Sequence, residues 1–164
     1  MMLTMNDSAA PARALGRLPA LLRYWRWRYG LTGALPGLAL AVLGFALSLP
    51  WSLAPAAALA LLGLTLGRHF AGLRFAHYRA ELHEGEGLVL YSGVWWRSEV
   101  WVPTARLQHL DVSQGPLDRR WGMATLSLHT AGSHDNHTRI DGLPLAEAHA
   151  LREHLLPRQA LQHE

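Results

Sequence analysis

The sequence predicts an α+β chain: a two-helix transmembrane hairpin, then a small antiparallel β-barrel or sandwich capped by a C-terminal helix. Three observations predict it. Leu31 to Gly67 contains no charged residue. From Leu88 to Asp141, short runs of branched and aromatic residues are cut by Pro and Gly, as strands and turns are. Leu145, Ala148, Leu151 or Arg152, and Leu155 then recur at the spacing of one helical face.

Composition bounds the reading. The 164 residues suffice for one domain and an anchor. Half the chain is hydrophobic and only 16% is charged, against about a quarter in soluble domains. All fifteen basic residues are Arg, and the formal charge is a mild +3. The absence of Cys excludes a disulfide framework, a thiolate nucleophile and a Cys-based zinc site, and suits a reducing cytoplasmic setting.

Residues 1–14 are polar, Ala-rich and unpatterned, and are expected to be a disordered tail. Over 15–30, Leu15, Leu18, Leu22, Trp25 and Tyr29 form one apolar helical stripe among Arg residues. Trp25, Arg26, Trp27 and Arg28 put indoles beside guanidiniums just ahead of the apolar stretch, which is what an interfacial belt requires. Residues 31–72 are then expected to be the hairpin, with spans at about 31–49 and 52–70, each near the ~20 residues needed to cross a bilayer. Trp51 sits in the short link as a further interfacial residue. Arg flanks both outer ends and the link has none, so the positive-inside bias puts both termini in the cytoplasm. A cleaved signal peptide is the competing reading, with Ala54-Pro55-Ala56-Ala57 imitating a cleavage site. The leader before the apolar core is too long for it, and apolar residues continue past the site.

Residues 74–157 are expected to fold as the domain, with 158–164 as a polar tail. Glu84-Gly85-Glu86-Gly87 is a turn into a strand at Leu88–Ser92. One of Trp95 and Trp96 is expected to fill the core; the alternative is a second lipid contact. Glu99–Val102 is a strand ended by Pro103. Leu107 is out of phase with Leu110 and Val112, so a bulge is expected near Gln108-His109. Gly115-Pro116 breaks that strand, and Leu117–Gly122 is expected to be a connecting turn. Ala124, Leu126 and Leu128 alternate with Thr125, Ser127 and His129. Ser133 to Asn136 is a hairpin loop, His137–Asp141 a last strand with Thr138 and Ile140 inward, and Pro144 suits the first turn of the final helix.

The run VPTARLQHLDVSQGPLDRRWGMATLSLHTAG resembles the signature of the bacterial pleckstrin-homology-like (YdbS-type) membrane proteins. The matching residues include Val102, Pro103, Arg106, Gln108, Gln114, Gly115, Pro116, Leu117, Arg119 or Arg120, Gly122, Ala124, Leu126, Thr130, Ala131 and Gly132, with Leu107 in place of Ile and Met123 in place of Leu. The resemblance implies a small antiparallel PH-like barrel capped by a C-terminal helix, no enzymatic activity and no established ligand; no cofactor is expected. It also implies either a bacterial inner-membrane partner carrying related domains or self-association.

No P-loop, dinucleotide glycine motif, nucleophile elbow or H-E-x-x-H stands in the chain. The sharpest metal or enzyme reading uses His129, His134, Asp135 and His137 around one hairpin; a solvated loop in a His-rich chain accounts for the same residues. Arg97, Arg119, Arg120 and Arg139 are candidates for an anionic headgroup, since guanidinium forks suit phosphate. The expected partners are membrane lipids and a membrane protein, not nucleic acid. The expected role is binding or scaffolding.

Overall fold

A computed structural model describes residues 12–131 and 137–155. The chain divides into two compact units, one made of residues 19–77 and the other of residues 1–18 with 78–164.

The first unit is a pair of helices, α1 (Pro19–Ala46) and α2 (Leu53–His77). Both are long and apolar enough to cross a membrane. Pro19 opens α1, where its missing N–H is no loss. Pro36 lies inside the helix, as membrane helices tolerate better than soluble ones. At the link Leu49 N–H donates to Gly44 O (2.8 Å), and Pro50–Ser52 makes a 3-10 turn whose Ser52 hydroxyl donates to Leu49 O (2.7 Å). In their middle the helices meet backbone to backbone at glycines. A Cβ on Gly33 would run into the Gly63 carbonyl, and one on Gly37 into the backbone at Ala56 and Ala60. Without a hydrophobic drive between helices in lipid, such close backbone approach is what makes them adhere. Their outward surface stays apolar: Leu35, Leu38, Val42 and Phe45 on α1, and Leu59, Leu62 and Leu66 on α2, are 40–83% exposed.

The interfacial helix expected from residue 15 is corrected. Residues 12–18 are not helical and belong to the domain, and α1 then runs without a break from 19 to 46. The expected tail to residue 14 is corrected too, because Arg13–Ala14 form a strand, β1, paired with β2 (Arg79–His83). Leu15 N–H donates to Ala80 O (2.9 Å), Leu18 N–H to Gly142 O (2.9 Å), and Gly16 N–H to the Glu147 carboxylate (3.1 Å). Long-range backbone pairing and the burial of Leu15 outweigh the local helical pattern.

The domain has two antiparallel sheets. The first has the order β1-β2-β3-β4, with β3 at Gly87–Ser92 and β4 at Ser98–Pro103; the second has the order β5-β6-β7, at Leu107–Ser113, Met123–Thr130 and His137–Pro144. Leu88, Val89, Met123, Leu126, Leu128, Ile140 and Leu143 are the largest fully buried side chains. The final helix, α4 (Leu145–Leu155), packs on the second sheet and buries Ala148, Leu151 and Leu155. The expected bulge is present: the β5–β6 register shifts between Leu107 and His109, which lets Leu107 and Leu110 both face inward. Three expectations are corrected. Residues 116–121 form a short helix, α3 (Pro116–Trp121), not a turn. The last strand continues past Asp141, because Leu143 pairs with Ala124 and is buried. Neither Trp95 nor Trp96 enters the core; they are 81% and 86% exposed.

Candidate functional site

The motif residues first shape backbone. Gln114 Nε2 donates to Met123 O (2.6 Å), tying the end of β5 to the start of β6. Gly115 N–H donates to the Asp118 carboxylate (2.9 Å), which caps α3, while Pro116 takes the first helical position. Gly122 ends α3 at φ +66°, a left-handed conformation that favours glycine, and its carbonyl accepts from Leu145 N–H (3.3 Å). Leu126 fills the core. Thr130 pairs with Leu107, and Ala131 N–H donates to Arg106 O (3.0 Å). By contrast Pro103, the Arg106 side chain, Gln108, Leu117, Arg119 and Arg120 are exposed. These are the motif positions free to meet a partner. Gly132 lies outside the described residues.

The second sheet carries a polar outer face. His109, His129 and His137 stand directly opposite one another across β5, β6 and β7. Their ring centres are 6.0 and 4.6 Å apart in turn. Asp111 lies 2.9 Å from His109 Nε2 and 3.7 Å from His129 Nε2. In the next row Asp111, Ser127 and Arg139 are in register, and Arg139 Nε donates to His137 Nε2 (3.4 Å). Sequence reading placed His129 and His137 together but missed His109 and Asp111, which the bulge turns onto this face. His134 and Asp135 lie outside the described residues. Among the described residues no group of three His, Asp or Glu side chains is placed to hold a metal ion.

The proposed anion-binding residues are dispersed over three elements. Arg97 lies in the β3–β4 turn, Arg119 and Arg120 on α3, and Arg139 on β7; all four are exposed. Of the interfacial residues, Arg26, Arg28, Trp27 (63%) and Trp51 (71%) are exposed. Trp25 is corrected: it is 3% exposed, its ring meets Phe75 edge-on, and the Arg74 guanidinium lies 4.8 Å over it. These contacts turn Trp25 toward α2, so this indole serves the helix pair. Tyr29 joins the same cluster, edge-on to Phe70 and bonded through its hydroxyl to Arg74.

An apolar helix pair joined to a two-sheet, helix-capped domain defines a PH-like protein of the membrane type. The chain belongs to the bacterial PH domain family, whose sequence model matches residues 34–159. It is similar to the UPF0699 transmembrane protein YdbS of Bacillus subtilis (strain 168), with 37% identity over 81 residues. That match covers 49% of this chain and 48% of YdbS, so the chain spans about half the length of the curated relative it matches. No solved structure matches the chain.

Proposed function

We propose that this protein is a multi-pass bacterial inner-membrane protein. Its PH-like domain binds or scaffolds a membrane protein partner at the cytoplasmic face and catalyses no reaction. The observation that carries the reading is the division of the signature motif. Gln114, Gly115, Pro116, Gly122 and Leu126 build the β5–α3–β6 corner, while Leu117, Arg119 and Arg120 are exposed on α3 and Arg106 and Gln108 are exposed at the other end of β5. An exposed leucine and two guanidiniums on one short helix suit a protein surface, where Arg is favoured. Attachment to the bilayer raises the effective concentration of any neighbour in the same membrane. The relative is itself described as a transmembrane protein, which supports the membrane setting.

The test is topology and association together. A reporter active only in the cytoplasm is fused to the C-terminus, and the same protein is purified in mild detergent. An active reporter and a stable protein partner, or a stable oligomer, are expected. An exported domain, or a lone monomer, overturns the reading.

A second reading is recognition of anionic lipid headgroups through the exposed Arg97, Arg119, Arg120 and Arg139. It predicts that the full chain in neutral detergent takes up short-chain phosphatidylglycerol in a salt-dependent way. Replacing Arg119 and Arg120 by Gln weakens that uptake. No uptake at low salt removes this reading.

A further inference from the structure

The turn between β3 and β4 holds two bare indoles. Ser92 and Ser98 are the last paired residues, and Gly93 to Arg97 close the turn. Gly93 has φ +102°, and a Cβ there would run into the Trp96 carbonyl oxygen. The turn is therefore tightly fitted, and it holds Trp95 and Trp96 at its apex, 81% and 86% exposed, with exposed Arg97 beside them. Among the described residues neither indole has a hydrogen-bond or ring partner. Trp101 on β4 shows what a tethered surface indole looks like here. Its N–H donates to Glu99 (2.5 Å), and its ring lies 5.1 Å from that of His83.

An adjacent pair of free indoles is a poor surface for water and a good one for a bilayer interface. The ring is apolar, the N–H suits the carbonyl and headgroup layer, and Trp is enriched there for that reason. The guanidinium of Arg97 complements lipid phosphate in the same layer. A free soluble domain would gain only weak binding from two side chains. This domain is covalently joined to two span-length helices, so lipid is present at high effective concentration and a small contact suffices.

We propose that the Trp95-Trp96-Arg97 tip is a second membrane contact, with both indoles in the headgroup layer and Arg97 on lipid phosphate. The proposal rests on the reading that α1 and α2 span the bilayer. It concerns a lipid surface and differs from the dispersed headgroup site considered above, which needs no indole.

The chain has no Cys, so single spin labels can be placed without competing thiols. The full chain is reconstituted in vesicles of phosphatidylcholine and phosphatidylglycerol, with a label at Ser98→Cys, Glu84→Cys or Val42→Cys in separate samples. Accessibility to oxygen and to a water-soluble nickel chelate is then measured. The label at 98 is expected to be severalfold less accessible to nickel than the label at 84, and accessible to oxygen. Adding Trp95→Ser and Trp96→Ser is expected to abolish that protection; these exposed side chains contribute nothing to the core, so the fold survives the change. A label at 98 as open to nickel as that at 84, with the label at 42 in lipid, overturns the tip contact and leaves the anchor standing. Exclusion of both oxygen and nickel at 98 marks a contact with another protein copy and also overturns it. A label at 42 open to nickel overturns the anchor itself, and this proposal with it.

Discussion

Tyr78 shows how much one hydroxyl can hold. Its side chain is buried, and its hydroxyl accepts from Asp141 N–H (2.7 Å), joining the start of β2 to β7. Tyr78→Phe leaves that N–H without its partner, and a loss of about 1–3 kcal/mol is expected, read as a lower midpoint in thermal unfolding of the detergent-solubilised chain. Tyr91 tests electrostatics instead. Its phenol titrates above its ordinary value of 10.0, chiefly through desolvation and then through the carboxylates of Glu99 and Glu81, with Arg79 opposing. The Arg79 guanidinium lies 5.3 Å from the ring centre. Because the folded value is raised, folding favours the neutral phenol. The contribution is whole below the ordinary value and is lost as pH rises through the folded one. Glu99→Gln is expected to bring the Tyr91 titration down, followed by ultraviolet absorbance against a Tyr91→Phe reference. At this scale the sequence was legible where a residue had a phase to obey. Leu107 and Leu110 could both be buried only by a bulge, and the bulge exists. The Trp95-Trp96 pair had no such phase, since large apolar rings suit a core and an interface equally, and the expectation of a core Trp failed.

The middle of the helix pair depends on the absence of side chains at its glycines. Gly63→Val would place a branched side chain against the Gly33 carbonyl and is expected to destabilise the pair by about 1–3 kcal/mol. Gly72, on the same helix, has nothing within 4 Å of where a Cβ would stand, so Gly72→Ala is expected to stabilise by about 0.5–1 kcal/mol. Thermal unfolding of both variants in one detergent separates seam from surface, and equal effects would refute the seam. The short helix α3 is held at its start by Asp118. Asp118→Ala removes the carboxylate that accepts from Gly115 N–H and is expected to cost about 0.5–1.5 kcal/mol, again as a shift in melting temperature. The helix pair was legible because a charge-free stretch of this length has few other uses. The helix α3 was not: its six residues are too few to show a period, and what makes it helical is a carboxylate cap and a glycine exit.

At the scale of the molecule the domain is interrupted. The strand β1 and residues 15–18 come before the helices, yet they bond to Ala80, Gly142, Glu147 and, through the Arg17 guanidinium, to Tyr78 O. Deleting residues 1–18 is therefore expected to lower the melting temperature of the domain, because β1, the buried Leu15 and the Gly16–Glu147 bonds go with them. A cleaved leader would predict no change, and an unaltered melt would revive that reading. No local pattern announces a two-residue strand whose partner lies beyond two long helices, and β1 was accordingly invisible in the sequence.

The same interruption sets an order of events during synthesis. The first strand leaves the ribosome before the helices, and its partner β2 only after them. Were residues 19–77 a flexible loop, closing it would cost about 3–4 kcal/mol in chain entropy. Two helices zipped along Gly33 and Gly63 return the chain on itself and remove most of that cost in advance. Pairing of β1 with β2 thus follows synthesis of the helix pair, which shortens the loop that this pairing must close.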